Sequence, residues 1–397
     1  MRRTALLTLG VTTLMTLTAG VAGAATVGWV DTAAIFGRGT ATTDGPAPEV
    51  DAPDSVGVEE AVTAGSVEVA GGSARGMRLS YPGSDYVKVH FSRFDLRPGD
   101  RLTVADPAGA ETESYTAADL RSADGWAMSV SGDTAVVEVH SAEGVTVDKV
   151  ARGMTGAERR KRADAAALAP RTESICGHSD DTVNATCYRS SDPVAYAHSK
   201  PVARLLIGGV ELCTAWRVGP DNRMFTNHHC IVSTQDARDT EVWFNDECAE
   251  CDGGATLRPT KVRGNQVIAT DKTLDYTLFS VQDFGAIQDF GYLTLDARRP
   301  NRGEEVYIPQ HPEGSPTVIA MRDTTERDGN CAIANPDYDG YASGTDASYY
   351  CDTEGGSSGS PVISRRTNKV IALHHFGGCP NSGVRIDEIY AEVRNLL

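Results

Sequence analysis

Three short segments of this sequence carry the residue types needed for nucleophilic catalysis by a serine. His229 lies in the segment FTNHHC, Asp275 in LDYTL and Ser358 in GGSSGSPV. A serine hydroxyl is a poor nucleophile at neutral pH, so an adjacent imidazole must accept its proton during attack. The imidazole needs a buried carboxylate on its other nitrogen, which fixes the tautomer and stabilises the imidazolium. The order His, Asp, Ser in these segments therefore predicts a catalytic triad.

The glycine-rich segment also supplies the donors that acyl transfer requires. The developing oxyanion needs preorganised N–H groups, and removing one typically costs about 3 kcal/mol. A glycine two residues before the nucleophile lets the backbone fold so that the N–H groups of Gly356 and Ser358 point into one oxyanion hole. Among the neighbouring serines, only Ser358 completes the pattern G-x-S-G. Asp275 is preferred to Asp271 because an apolar strand follows Asp275 at once.

Each segment also has a simpler structural interpretation. The Gly-Ser run could be a flexible loop, and His229 could be a core histidine beside a cysteine. Asp275 could cap a strand or a turn. The order of the three segments, within an exported and cysteine-rich part of the chain, favours the catalytic interpretation.

The composition is that of a folded, acidic protein. Of the 397 residues, 40% are hydrophobic and 23% are charged, and 54 acidic against 37 basic residues give a formal net charge of −17. Phosphate contacts are made mainly by clustered Lys and Arg, so this balance argues against a nucleic-acid-binding protein. Protein or peptide partners remain open, and the length favours two folded units.

The first 24 residues have the pattern of an export signal. Two arginines at positions 2 and 3 form a positive n-region, residues 5–21 form an apolar stretch, and the segment AGA (22–24) supplies small residues at the cleavage positions. A membrane anchor is the alternative, but the apolar stretch is Thr-rich and rather short for a span. We therefore expect a secreted protein that has no membrane segment once the signal is removed at about Ala25.

The cysteines support the same compartment. The nine lie at positions 176, 187, 213, 230, 248, 251, 331, 351 and 379. In an exported protein this clustering predicts disulfides within one domain, and the odd number predicts a free thiol or an intermolecular bridge. The spacing of Cys248 and Cys251 could suit zinc, but a second ligand pair at suitable spacing is missing, so we expect no metal.

Local patterns divide the chain into five segments. These are a signal peptide (1–24), a loosely ordered leader (25–65), a small β-sandwich (66–152), a linker (153–171) and a β-rich domain (172–397). The alternating run Tyr86–Phe94 and its neighbouring turns indicate the sandwich. The linker contains the charge run ERRKR, which is either a solvated helix or a processing site. The last domain has short β-type runs and no alternation with long helices, so the fold class is all-β, with a helical tail at Ile386–Leu397.

With these motifs, about 225 residues of the chain resemble the trypsin-like (chymotrypsin-fold) peptidases, and most closely the bacterial lysyl endopeptidases and staphylococcal-type glutamyl endopeptidases. The family's T-x-x-H-C motif selects His229 over His228, and the segment TEGGSSGSP resembles the nucleophile loop of lysyl endopeptidases. The resemblance implies a double β-barrel and a monomeric serine endopeptidase that needs no cofactor. The sandwich resembles the N-terminal domain of lysyl endopeptidase precursors, so it is either a pro-domain or an accessory domain.

The resemblance leaves the residue preferred before the scissile bond (P1) open. Asp352 lies six residues before Ser358, where enzymes with basic P1 preference carry their pocket acid, and Glu354 adds a second carboxylate. In the segment HFGG, His375 resembles the histidine with which glutamyl endopeptidases hold an acidic P1 residue, and Gly377 belongs to the strand that lines the cleft. The segment after residue 378 lacks the acid of lysyl endopeptidases, which puts strict Lys specificity in doubt. We expect a basic P1 preference, with an acidic one as the alternative.

The resemblance also implies the cysteine pairing and the processing. The implied disulfides are Cys213–Cys230, Cys176–Cys379 and Cys331–Cys351, with Cys187 bound to Cys248 or Cys251. Cleavage after Arg171 would leave a short lead before Cys176. A function of another class is an inactive protease-fold binding protein, attached through its β-sandwich to cell-wall glycan.

Overall fold

Short antiparallel strands make up most of the chain that the structure, a computed structural model, describes. It describes residues 54–55, 57–62, 75–140, 144–166, 175–325 and 329–397. The predicted signal peptide, most of the predicted leader and the cleavage predicted after Arg171 lie outside these residues.

The described strands are numbered in chain order. They are β1 Asp54–Ser55, β2 Gly57–Ala61, β3 Arg75–Ser80, β4 Tyr86–Phe94, β5 Arg101–Ala105, β6 Thr112–Tyr115, β7 Val130–Ser131, β8 Thr134–His140, β9 Val145–Gly153, β10 Val183–Asn184, β11 Val202–Ile207, β12 Glu211–Arg217, β13 Met224–Thr226, β14 Thr240–Phe244, β15 Cys248–Glu250, β16 Gly253–Thr256, β17 Thr260–Asp271, β18 Tyr276–Val281, β19 Val306–Gln310, β20 Val318–Ala320, β21 Arg322–Asp323, β22 Gly329–Asn330, β23 Ile333–Tyr338, β24 Asp346–Tyr349, β25 Pro361–Ser364, β26 Val370–Phe376 and β27 Asn381–Arg385.

Helices are few and short. The α-helices are α1 Ala117–Ser122, α2 Gly156–Ala166, α3 Tyr188–Ser191, α4 Pro193–Ser199, α5 Thr234–Asp239 and α6 Ile386–Val393, and the 3₁₀-helices are Ala185–Cys187, Phe284–Phe290 and Pro312–Gly314. The charge run ERRKR lies in α2, and the predicted helical tail ends four residues early. Within the described residues, no helix combines the length and apolar character that a membrane span needs.

Two four-stranded sheets form the N-terminal part of the described chain. Their strand orders are β2-β9-β4-β7 and β3-β8-β5-β6, and both contribute to one apolar core, with Val89 from the first and Leu102 from the second. We call residues 57–62, 75–140 and 144–153 the N-terminal sheet pair. That the sheet pair is a separate domain stays a prediction.

Strand β4 departs from the alternation predicted for it. The pattern predicted one buried and one exposed face, yet Tyr86, Val87, Lys88 and Val89 are all buried. The second face is covered because it packs against the first barrel, where the Tyr86 hydroxyl donates to the backbone carbonyl of Gly209 at 2.8 Å. A contact between segments so far apart in sequence leaves no trace in a local pattern.

The first β-barrel follows the N-terminal sheet pair in the chain. Its sheet has the order β1-β12-β11-β14-β17-β18-β13, and a further pairing of β12 with β13 closes it. Leu205, Val242 and Phe279 fill its interior. Strand β1 adds to the outer side of β12, where Asp54 lies opposite Leu212.

The second β-barrel is built from the remaining long sheet. Its order is β10-β20-β19-β25-β26-β27-β24-β23, and a bridge between Glu305 and Ala332 returns the chain before β23 to the chain before β19. Ile308 and Ile371 belong to its core, and a further apolar cluster with Trp216 and Leu373 joins the two barrels. The predicted all-β, double-barrel fold is confirmed.

Candidate active site

His229 and Asp275 are brought together by two paired strands of the first barrel. His229 follows the end of β13 and Asp275 directly precedes β18, and in the β13–β18 ladder Thr226 lies opposite Thr277. A disulfide between Cys213 and Cys230 ties the residue after His229 to β12. The local motifs therefore meet because the ladder places the end of one strand beside the start of the other.

The Asp275 carboxylate binds His229 in two ways. One oxygen lies 2.8 Å from the ring Nδ1 of His229, and the other accepts the backbone N–H of His229 at 3.0 Å. Burial alone would raise the pKa of Asp275, but the nearby imidazoles of His229 and His375 outweigh it and hold that pKa far below its usual range. An ionised Asp275 favours the tautomer of His229 with the proton on Nδ1, which leaves Nε2 as a base.

The backbone at Asp275 is in the left-handed region, with φ of 41°. This conformation is uncommon for residues other than glycine and is retained only where the surroundings enforce it. Asn227 donates its side-chain N–H to the Asp275 carbonyl at 2.8 Å, and the Asp271 carboxylate accepts the backbone N–H of Leu274 at 2.8 Å. Asp271, the aspartate that was not preferred for catalysis from the sequence, thus stabilises the turn that precedes Asp275.

His228 has a different environment from His229. Its Nδ1 lies 2.8 Å from the Thr270 hydroxyl. The ring next to the Asp275 carboxylate is that of His229, the histidine that directly precedes the disulfide-bonded Cys230.

The three serines of the nucleophile loop have different environments. Ser357 and Ser360 are fully buried, and their hydroxyls serve the loop itself: Ser357 accepts the backbone N–H of Glu354 at 3.1 Å, and Ser360 donates to the Ser357 carbonyl at 2.5 Å. Ser358 is partly exposed. Among the described residues its hydroxyl makes no hydrogen bond, one to the His229 ring included, and such bonds often tighten only when substrate is bound.

Thr214 of the first barrel holds the nucleophile loop in place. Its backbone N–H donates to the Ser358 carbonyl and its hydroxyl to the Gly356 carbonyl, both at 2.8 Å. Gly356 and Gly359 have φ near +90°, and a Cβ on Gly359 would lie 2.1 Å from the Thr214 carbonyl oxygen. Both positions therefore require glycine.

The predicted oxyanion donors are available in this loop. Within the described part of the chain, the backbone N–H groups of Gly356 and Ser358 have no backbone acceptor, while both carbonyls are bound to Thr214. Such N–H groups can donate to an oxygen that develops negative charge beside Ser358.

His375 occupies a place that the sequence did not predict. Its Nδ1 lies 3.2 Å from the Asp275 carboxylate and its Nε2 2.7 Å from that of Asp346, which also accepts the Ser382 hydroxyl at 2.7 Å. Burial alone would lower the pKa of His375, but Asp346 and Asp275 outweigh it and raise it to about 9. This raised pKa favours the protonated, cationic form of His375 behind the Asp275 carboxylate.

The surroundings of His375 disfavour the P1-pocket role predicted for it, which stays a prediction. Its side chain is 1% exposed, and both ring nitrogens are bound to carboxylates of this chain, so no polar atom is left for a substrate. The preceding His374 packs against Tyr349, whose hydroxyl lies 2.7 Å from Nδ1. Burial and the neighbouring His375 and His229 lower the pKa of His374 to about 3, so it stays neutral beside the cation.

Asp346 and Ser382 are the residues that sequence analysis missed. They reach His375 because β27 lies between β24 and β26, with Ser382 opposite Ser348 of β24 and Phe376 of β26. No local motif marks either residue. Only the register of the three paired strands brings these two residues to His375.

The charge on His375 is expected to make stability fall at alkaline pH. A pKa of about 9 in the folded protein, against about 6.5 unfolded, gives a contribution that is complete below pH 6.5 and is lost as pH rises through 9. We expect the free energy of unfolding to fall by about 3 kcal/mol more between these pH values than in a His375→Gln variant. Urea unfolding on a Ser358→Ala background measures it, with His140→Gln, an exposed histidine, as control. Equal slopes for His375→Gln and the parent would contradict the assigned charge.

Asp352 is buried and bonded to the start of the protease part of the chain. Its carboxylate oxygens accept the backbone N–H groups of Cys176 at 2.8 Å and Asp181 at 2.7 Å. Burial raises the pKa of Asp352 to about 6; the two N–H bonds oppose this, and the carboxylates of Asp180 and Asp181 add to it. Glu354 and Gly377, the other residues predicted for the P1 pocket, are partly exposed.

Four disulfides lie in the two-barrel part of the chain. They join Cys176 to Cys379, Cys187 to Cys251, Cys213 to Cys230, and Cys331 to Cys351. The sequence left the partner of Cys187 open between Cys248 and Cys251, and the structure shows that it is Cys251. Cys248 is a buried free thiol, and burial is the main cause of the rise in its pKa. Since Cys251 is oxidised, Cys248 and Cys251 cannot serve as a pair of zinc ligands. Four disulfides fit a secreted protein.

Comparisons with known proteins cover the two-barrel part of the chain and, for one relative, extend beyond it. A family model for the trypsin-like peptidase domain matches residues 213–373. Secreted RxLR effector protein 73 of Plasmopara viticola is 32% identical over 317 residues, which are 76% of this chain and 77% of that protein.

Solved structures similar to the chain were also found. Glu endopeptidase in complex with MPD is 17% identical, with a TM-score of 0.40 over 56% of this chain and 98% of its own. The Rv3671c protease from M. tuberculosis in its active form is 16% identical, with a TM-score of 0.38 over 57% and 92%. Deg5 is 14% identical, with a TM-score of 0.37 over 52% and 93%. The stretch matched by the family model contains His229, Asp275 and Ser358.

Proposed function

Because the chain belongs to the trypsin-like peptidases, we propose that it is a secreted serine endopeptidase whose catalytic triad is His229, Asp275 and Ser358. The observation that carries the proposal is the double hydrogen bond of the Asp275 carboxylate, to the ring and to the backbone of His229. It fixes both the orientation and the tautomer of the base. The partial exposure of Ser358, between two serines whose hydroxyls are used by the loop, supports the choice of nucleophile.

The reaction follows from these positions. The Ser358 oxygen attacks the peptide carbonyl carbon while Nε2 of His229 takes the hydroxyl proton, and the carbonyl oxygen becomes an oxyanion that the N–H groups of Gly356 and Ser358 stabilise. The C–N bond then breaks as His229 gives its proton to the leaving amine, which leaves an acyl group on Ser358. Water, deprotonated by His229, attacks the acyl carbon; the ester bond to Ser358 then breaks as His229 returns the proton to the serine oxygen, and the acid is released. Asp275 stays ionised and stabilises the imidazolium throughout.

Secretion is proposed from the export signal of the sequence and is supported by the four disulfides. Disulfides persist in oxidising compartments and are rare in the cytosol. N-terminal sequencing of material from the culture medium of an expression host tests this proposal. We expect the signal to be removed at about Ala25; an uncleaved, cell-retained chain would contradict it.

Covalent labelling separates an active enzyme from an inactive protein of the same fold. We expect an organophosphonate or a sulfonyl fluoride to add one label, located on Ser358 by peptide mapping. Cleavage of a diverse peptide pool by the same sample then identifies the residue before each cut. Absence of both labelling and cleavage, with the chain folded, would favour the inactive binding protein.

We further propose that the enzyme prefers Lys or Arg at P1, with Asp352 as the pocket acid. Asp352 is buried and bonded to two backbone N–H groups, but, unlike a ring nitrogen of His375, each of its carboxylate oxygens keeps a second acceptor site. Its place six residues before Ser358, and the concentration of negative charge made by Asp180, Asp181 and Asp352, support a site for a cationic side chain. The occupation of both ring nitrogens of His375 disfavours the acidic alternative.

The Asp352→Asn variant is expected to lower kcat/KM for Lys and Arg P1 substrates by about 100-fold, because loss of a buried charge partner costs about 3 kcal/mol. Cleavage at an uncharged P1 residue should change far less. In the parent enzyme, the ratio of kcat/KM for Lys over Ala substrates should fall below pH 6 as Asp352 is protonated. Fluorogenic peptides measure both, with Asp337→Asn, an exposed aspartate, as control. An unchanged Lys/Ala ratio in Asp352→Asn would rule out this role.

A further inference from the structure

A buried ion pair lies at the junction of the N-terminal sheet pair and the first barrel. Lys88 of β4 and Glu241 of β14 are both fully buried, and Lys88 Nζ lies 2.7 Å from a Glu241 carboxylate oxygen. Removing one partner of such a pair leaves an uncompensated buried charge, which is strongly destabilising. Replacing one of the two residues would therefore weaken the junction while the two parts stay packed.

The carboxylate of Glu241 is fully coordinated, and the sheet pair supplies most of its donors. Ser129 donates its backbone N–H at 2.9 Å and its hydroxyl at 2.7 Å, and Trp243 of the barrel donates its ring N–H at 2.9 Å. Burial alone would raise the pKa of Glu241, but Lys88 and Lys261 outweigh it and lower it to about 2. Without the sheet pair, Glu241 would keep only the Trp243 donor.

A second ionic contact runs in the opposite direction. Lys261 of β17 donates from the barrel to the Glu111 carboxylate at 3.1 Å, to the Ser129 carbonyl at 3.1 Å and to the Ser131 hydroxyl at 3.2 Å. Its ammonium also lies 4.3 Å from the centre of the Trp243 ring. In these two ion pairs each side of the junction contributes one cation and one carboxylate, an arrangement that fixes how the two surfaces fit.

Apolar and backbone contacts complete the same junction. Tyr86 of the sheet pair packs in a buried cluster with Leu206, Leu212 and Trp243 of the barrel. The segment from β1 to β2 belongs to both parts, since β1 pairs with β12 of the barrel and β2 with β9 of the sheet pair. The junction therefore has an apolar centre and satisfied polar groups, as stable interfaces do.

We propose that the N-terminal sheet pair is a permanent part of the enzyme and stays bound to the barrel after the chain is cut between α2 and Cys176. The barrel face that holds it consists of Gly209, Glu241, Trp243 and Lys261. Cleavage of the linker, the expected processing event, then yields a two-piece enzyme and releases no free domain. Loss of the sheet pair would remove Lys88 and Ser129 from Glu241 and expose the apolar cluster around Trp243 to solvent.

The test is an engineered cut in the full-length chain. The recognition sequence of a site-specific protease replaces residues 167–171 in the Ser358→Ala variant, which prevents self-cleavage, and the cut protein is passed through gel filtration at about 0.1 µM. We expect both pieces in one peak, as for a dissociation constant at or below about 10 nM. Because the ion pairs are buried, about 1 M salt should not separate them. Separate peaks at low salt would overturn the proposal, whether or not the chain is a peptidase.

Three variants assign the retention to the ion pair. Glu241→Gln should raise the dissociation constant at least tenfold, whereas Glu138→Gln, at an exposed position of the sheet pair, should leave it unchanged. The double variant Lys88→Met with Glu241→Gln should bind more tightly than Glu241→Gln alone, since it leaves no unpaired charge. Equal retention by Glu241→Gln and Glu138→Gln would overturn the role given to Glu241. If Glu241→Gln does not fold, the double variant and the cut parent decide.

Discussion

The Ser358→Ala variant is expected to lose between about 10⁴- and 10⁶-fold in kcat/KM on peptide substrates. The two neighbouring serines of the loop cannot replace Ser358, since the hydroxyls of Ser357 and Ser360 are buried and engaged. The free energy of unfolding should change by less than about 0.5 kcal/mol, because the Ser358 hydroxyl makes no hydrogen bond within the described chain. Progress curves with a fluorogenic peptide and urea unfolding of the same preparation measure the two effects.

Ser122→Ala is the matched control for this variant. It removes an exposed hydroxyl at the end of α1, outside the two barrels, and should leave kcat/KM unchanged. Retention of more than a hundredth of the parent activity by a Ser358→Ala sample free of contaminating protease would move the nucleophile elsewhere.

The Asp275→Asn variant is expected to lower kcat by about 10⁴-fold at neutral pH. An asparagine can still accept the backbone N–H of His229, but its amide favours the imidazole tautomer with the proton on Nε2, which cannot act as the base. The substitution also removes one of the two carboxylates that hold the charge of His375. Steady-state kinetics with saturating peptide gives the loss in kcat.

Asp271→Asn distinguishes the two neighbouring aspartates. Asp271 accepts the backbone N–H of Leu274, a bond that an asparagine oxygen can also make, so this variant should stay within a few-fold of the parent. A loss in Asp271→Asn as large as that in Asp275→Asn would contradict the assignment of the triad carboxylate.

Local motifs were enough to predict the triad but not its surroundings. Each of the three predicted catalytic residues lies in a short segment of characteristic sequence, so its role could be predicted from that segment alone. These residues are His229, Asp275 and Ser358. The contacts of His375 could not be predicted, because its partners Asp275 and Asp346 come from other parts of the fold and the contact with Asp346 depends on the β24–β27–β26 register. A motif identifies a side chain, whereas strand pairing decides what it touches.

Lys88 illustrates the same limit in the fold. The alternating pattern of β4 predicted a polar residue facing solvent, and the structure buries it because Glu241, 153 residues further on, supplies the charge. The all-β class was predictable from many short β-type runs and the absence of long helices, since both properties are local, whereas the double barrel was implied by the resemblance to the trypsin-like peptidases. The partner of Cys187 was not, because two cysteines three residues apart are equivalent until the chain is folded.

Strand β12 is bonded to both the Ser358 loop and the residue that follows His229. Thr214 binds the carbonyls of Ser358 and Gly356, and the neighbouring Cys213 is covalently joined to the residue after His229. Ser358 belongs to the second barrel, yet it is anchored to the same two-residue stretch as His229. We therefore expect a small displacement of one barrel against the other to leave the spacing of Ser358 and His229 nearly unchanged.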